Sequence, residues 1–130
     1  MKVVLANGCW DLLHHGHIAH LDAASTMGDV LVVSVTADKF VEKPGRPIYD
    51  QGKRAYIVGA LKCVDSVIVC DGLLDALKIV KPNIVVKGSD YERLEPHHEA
   101  YCKAHGIEIR FTGTPKFSTT ELIHELKRRS

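Results

Sequence analysis

The chain has 130 residues, 45% of them hydrophobic and 25% charged, with a formal net charge of +1. That length supports one ordinary domain with a real core and excludes two. The balanced charge gives no electrostatic case for broad nucleic-acid or membrane binding, and no apolar run approaches the ~20 residues of a membrane-spanning helix.

In chain order, Val3-Val4-Leu5-Ala6 reads as a short buried strand. It leads into Gly8-Cys9-Trp10-Asp11-Leu12-Leu13-His14-His15-Gly16-His17, and Ile18 to Ala24 then reads as a helix. A signal peptide is not expected here, because its cleavage would remove this distinctive stretch. His14 and His17 stand where strand hands over to helix, with Gly16 between them. A helix N-terminus has free N–H groups and a partial positive charge, and imidazoles add donors to it, so the place suits an anion. A zinc site from His14, His15, His17 and His20 is the competing reading; Gly16 and the lack of a matching Cys or His pair elsewhere count against it.

After the turn Met27-Gly28-Asp29 comes a second strand, Val30 to Val35. The loop from Asp38 to Tyr49 follows, about a dozen residues that include Lys43, Arg46 and Pro47, and loops of that length are more often functional. A helix over Ala55 to Leu61, a strand over Ser66 to Cys70 and a helix over Leu73 to Val80 come next. Lys81-Pro82-Asn83 introduces a fourth strand, Ile84 to Val86, and Lys87-Gly88-Ser89-Asp90-Tyr91 follows it. A helix over Pro96 to Ala104 stops at His105-Gly106, before a fifth strand, Ile107 to Phe111. Thr112 to Thr120 opens the last helix, Thr119 to about Arg128, with Leu122, Ile123 and Leu126 at helical spacing.

Short, almost continuously apolar strands alternating with helices predict an α/β fold: a doubly wound, five-stranded parallel sheet of the Rossmann-like type, covered on both faces. Ligands of such sheets bind beyond the carboxyl ends of the strands, at the topological switch point. The loops after strands one, two, four and five are therefore expected to carry the chemistry. Cys9, Cys63, Cys70 and Cys102 form no CxxC pair and read as reduced thiols, the pattern of a cytoplasmic protein. His97, His98, His105 and His124 read as surface residues, and no metal site is expected.

In these residues the chain resembles the HxGH nucleotidyltransferases, the cytidylyltransferase-like superfamily, and within it the glycerol-3-phosphate cytidylyltransferases and the adenylyltransferase domain of heptose-phosphate enzymes. The resemblance runs from Lys2 to about Leu126, one nucleotidyltransferase domain over 1–130. Its markers are Gly8 to His17, Gly28-Asp29, Asp38, Arg46-Pro47, Arg54, Val64-Asp65, Lys87 to Tyr91, and Ser118-Thr119-Thr120. It implies in-line attack by a phosphorylated sugar or polyol on the α-phosphate of a nucleoside triphosphate, with pyrophosphate leaving and Mg2+ accompanying the triphosphate. Such catalysis is positioning and charge stabilisation.

The resemblance implies His14, His17, Lys43 and Arg46 as the catalytic set. It puts Cys9, Trp10, His14, Gly16, His17, Gly88, Asp90, Thr112, Ser118 and Thr119 on the nucleotide, and Asp11, Lys43 and Arg54 on the substrate. Each has a plainer reading: Asp11 fixing its loop, Trp10 packing, Arg54 ordering the second loop, and Ser118 or Thr119 as an ordinary N-cap. Lys87-Gly88-Ser89-Asp90-Tyr91 is closer to the heptose adenylyltransferase form, which favours ATP over CTP. The alternatives are a CTP-dependent glycerol-3-phosphate-type enzyme and a non-catalytic nucleotide sensor. A fragment of a class I aminoacyl-tRNA synthetase is disfavoured by length, charge and the missing Lys-rich signature. The resemblance implies a homodimer and small-molecule substrates, and the balanced charge predicts neither nucleic acid nor membrane as partner.

Overall fold

Val4, Leu5 and Ala6 have no solvent exposure in a computed structural model of the chain, which describes residues 1–88, 94–113 and 119–129. They lie in β1 (Val3–Gly8), the middle strand of a five-stranded parallel sheet. β2 (Val30–Thr36) and β3 (Ser66–Cys70) flank it on one side, and β4 (Ile84–Lys87) and β5 (Glu108–Phe111) on the other, in the order β3-β2-β1-β4-β5. The chain grows outward from β1 to β3, then returns to the other side of β1. The switch point lies between β1 and β4, where loops diverge and leave a crevice.

The helices are α1 (His15–Ser25), α2 (Gln51–Gly59), α3 (Leu73–Val80), α4 (Pro96–Ala104) and α5 (Thr119–Arg129). Side chains alternate across a strand, so the continuous apolar runs feed two cores. Val4, Ala6, Val33, Val35, Ile84 and Val86 pack with Leu21 and Ala24 of α1 and Val58 of α2. From the opposite face Leu5 and Val85 pack with Leu73, Ala76 and Leu77 of α3 and Cys102 of α4. Each fully buried Val or Leu contributes roughly 1.5–3 kcal/mol of transfer free energy. The doubly wound parallel sheet is thus present as expected, and all four cysteines are free thiols.

Boundaries differ where polar residues continue a ladder. β1 runs past Ala6 because Asn7 and Gly8 still pair with Ser34 and Val35, and Ser34 Oγ donates to Asn7 Oδ1 at 2.7 Å. α2 starts at Gln51, four residues before the apolar signal, because Asp50 caps it by accepting the Lys53 N–H at 2.9 Å. Among the described residues no helix is long and apolar enough to cross a membrane.

Candidate functional site

β1 ends at Gly8, and the chain then turns sharply: Trp10 and Leu12 both hold positive φ, at 56° and 52°. Such angles cost free energy and persist only where surroundings enforce them. Here the Trp10 ring folds back over Gly8, where a Cβ would lie 2.8 Å from Trp10 Cε2. The indole Nε1–H donates to Ser34 O at 3.0 Å, so Trp10 is pinned in the core.

His14 then caps α1. Its Nδ1 accepts the Gly16 N–H at 3.1 Å, and His17 Nδ1 accepts the His14 N–H at 3.3 Å. The two rings stack with centroids 3.9 Å apart. Because both Nδ1 atoms accept, the hydrogen-bond pattern assigns the ring proton of each neutral imidazole to Nε2. Burial, and then the neighbouring His14, His20 and Arg46, push the His17 pKa down to about 4. The His17 ring is therefore neutral at pH 7, ready to donate to an anion without a standing charge to neutralise.

His20 lies one turn further along α1. It shares a 2.7 Å hydrogen bond between its Nδ1 and Thr112 Oγ1, and its ring lies against Trp10 at 6.1 Å. Burial, with the Lys87 ammonium adding to it, pushes its pKa down to about 4. Lys87 closes β4; burial lowers its own pKa, against the opposing pull of Glu95. The ends of β1, β4 and β5 and the loop after β2 thus converge through His17, Arg46, His20, Lys87 and Thr112. Sequence reasoning left Lys87 without a role of its own and weighed His20 only as a zinc ligand. The repeat at 14, 17 and 20 was the available signal for His20. For Lys87 it was the position at the strand end beside Gly88.

The second loop is fastened to the first from both ends. Asp11, only 1% exposed, accepts from Arg46 Nε at 2.8 Å, the Ile48 N–H at 2.7 Å and the Tyr49 N–H at 3.1 Å. Burial alone would raise its pKa, but those two N–H groups and the Arg46 guanidinium hold the carboxyl below the usual carboxylate range. Arg54 is fully buried, and its guanidinium donates to Tyr49 O at 3.0 Å, Cys9 O at 2.7 Å and Asp38 Oδ1 at 2.6 Å.

Asp11 and Arg54 face the interior and hold the loops together, the plainer of the two readings the sequence offered for each. Three of the residues expected on the nucleotide have partners within the protein. The Trp10 side chain packs, the Gly16 N–H is committed to His14, and the Thr112 hydroxyl, in a residue 3% exposed, serves His20. Cys9 uses its carbonyl on Arg54. Arg46 is paired with Asp11 yet lies close enough to depress His17, so it stays at the crevice; Lys43 stands exposed on the turn before it. At Gly88 and Gly113 no described atom lies within 4 Å of an added Cβ. Asp90 and Ser118 lie outside the described residues, as does the side chain of Thr119, although Thr119 begins α5.

Away from the crevice histidines, Glu95, His97 and His98 bring donor atoms within 4.8 Å of one another. They sit at the positive end of α4, and the Lys87 charge reaches both Glu95 and His98. Both features oppose a cation there.

The sequence model of the cytidylyltransferase-like family matches residues 5–125. The chain is 36% identical to the bifunctional protein HldE of Helicobacter pylori strain HPAG1 over 98% of its own length and 28% of the relative's. It is 43% identical to HldE of Aliarcobacter butzleri over 70% of its length and 20% of the relative's. It therefore spans under a third of these curated relatives. The crystal structure of a lipopolysaccharide core biosynthesis protein from Thermoplasma volcanium superposes with a TM-score of 0.78 at 31% identity, covering 89% of this chain and 99% of that one.

Proposed function

The chain belongs to the cytidylyltransferase-like family, and on that premise we propose that it transfers a nucleotidyl group, as one domain over residues 1–130, from a nucleoside triphosphate to a phosphorylated sugar or polyol. An oxygen of the acceptor phosphate attacks the α-phosphorus. A new P–O bond forms, the bond to the β-phosphate breaks, and pyrophosphate leaves. The observation that carries this reading is the reciprocal cap of His14 and His17 at the switch point. It fixes both imidazoles, each accepting a backbone N–H through Nδ1, at a helix N-terminus, a place suited to charge developing on phosphate oxygens.

Arg46, oriented by Asp11, adds fixed positive charge beside His17, and Lys43 adds a mobile one from the exposed turn. Thr119 at the start of α5 and Ser118 before it in sequence, with Gly88 and Asp90 after β4 in sequence, complete the proposed nucleotide contacts. Asp11 already accepts from Arg46, Ile48 and Tyr49. Magnesium in this reading arrives on the triphosphate, held by phosphate oxygens and water.

ATP is favoured over CTP by the Lys87 to Tyr91 form, and a sugar acceptor by the likeness to the lipopolysaccharide core biosynthesis protein. A cytoplasmic location is proposed from the free thiols. A homodimer is proposed from the family resemblance, together with the exposed Tyr56 and Ile57 of α2 and Val69 of the edge strand β3; sedimentation would test it. Pyrophosphate release from ATP and from CTP across a panel of sugar and polyol phosphates tests the activity. Release with one pair is expected, and none with any pair overturns it. Tight nucleotide binding without release marks the non-catalytic sensor instead.

A further inference from the structure

His20 is fixed on two sides, by Trp10 from the β1 loop and by Thr112 from the end of β5. The bond to Thr112 crosses 92 positions of sequence at 2.7 Å. Thr112 in turn donates its N–H to Lys87 O at 2.9 Å, so it is the last rung joining β5 to β4. An apolar side chain would fill the space beside Trp10 without a polar atom to satisfy. What the imidazole adds is a fixed distance between the helix that bears His14 and His17 and the ends of β4 and β5, where Gly88 and Gly113 have no described atom within 4 Å of an added Cβ.

We propose that His20 is a positioning residue for the nucleotide: its bond to Thr112 sets the spacing between the phosphate-side imidazoles of α1 and the β4–β5 ends that receive the rest of the molecule. The inference rests on the nucleotidyltransferase reading. A nucleotide must touch both sides at once, so a slack strut weakens its binding more than it slows the chemical step.

The chain has one tryptophan, Trp10, whose ring lies against both His17 and His20. Its fluorescence can report binding of a non-hydrolysable ATP analogue without turnover. His20→Phe and Thr112→Val break the bond from either side; His20→Asn and Thr112→Ser keep a group that makes it. Each breaking variant is expected to raise Kd, and the KM for nucleotide, about tenfold, with kcat lowered less than threefold. The double variant is expected to be no worse than either single one, and the two conservative variants to return close to wild type. Unchanged affinity in a folded His20→Phe or Thr112→Val protein overturns the proposal, as do multiplying effects in the double variant. Wild-type binding without turnover overturns only the enzymatic reading and leaves the strut to be judged on Kd. Absence of nucleotide binding by the wild type overturns both.

Discussion

Two regions of the crevice hold most of its ionisable groups and use them in opposite ways. Where the loops after β1 and β2 are tied together, the charged groups face inward: Asp11 of the first loop accepts three hydrogen bonds, and Arg54 of α2 donates to two carbonyls and to Asp38. On the first turns of α1, burial and neighbouring positive charge hold His17 and His20 neutral. Asp11 and Arg54 are thus scaffold, their charges paired within the protein, whereas His17 stands at the start of α1 as a neutral donor. A permanent charge is worth most where its partners are fixed, whereas a neutral donor can meet an incoming anion without first giving up a bound counter-ion.

The largest expected effect breaks the scaffold side. Arg54→Ala leaves Tyr49 O, Cys9 O and Asp38 without their buried partner, and Asp11→Ala strands Arg46 and two N–H groups. Each is expected to cost about 3–5 kcal/mol in urea or thermal unfolding. A loss under 1 kcal/mol would show that the loops are not held this way.

Acid titration separates the two regions by pH. His17 and His20 have pKa values pushed from 6.5 to about 4, so the unfolded chain binds protons there that the folded chain does not. Their stabilisation is complete above pH 6.5 and is lost as pH falls towards 4, about 3 kcal/mol for each. Asp11 is depressed below 3.8, so its share is lost only at still lower pH. His17→Ala and His20→Phe are expected to flatten the upper window of a stability–pH curve and leave the lower one. A curve with no step between pH 6.5 and 4 refutes the neutral assignment.

On the chemical side, His17→Ala is expected to lower kcat on the order of 100-fold, about 2.7 kcal/mol, with the fold intact. Near-normal turnover would sink its role. The smallest effect sharpens how the two regions meet. Gly8→Ala pushes a methyl to 2.8 Å from the Trp10 ring, against which both His17 and His20 rest. About 1–3 kcal/mol of destabilisation is expected, with a shifted Trp10 emission maximum. An unmoved emission spectrum would show that Trp10 does not transmit strain to the helix.

The strands were legible because burial on both faces writes itself as an apolar run: Val30 to Val35, Ser66 to Cys70 and Ile84 to Val86 each lie within observed strands. Asn7 and Gly8 escaped because ladder hydrogen bonds join main-chain groups and do not require an apolar side chain. The His14-Gly16-His17 turn was legible as a helix start, since cap residues and glycine act within a few positions of themselves. The order of β4 beside β1 and the bond from His20 to Thr112 were not legible, and for Asp11 and Arg54 the loop-holding reading stood beside a substrate one with no partner named. These contacts reach up to 92 positions along the chain or depend on which strand neighbours which. Local pattern therefore determined which segments are buried and where an anion could meet a helix. Only the tertiary structure decided which charges are spent inside the protein and which imidazoles remain neutral, because solvation and partner distance exist only once the chain is packed.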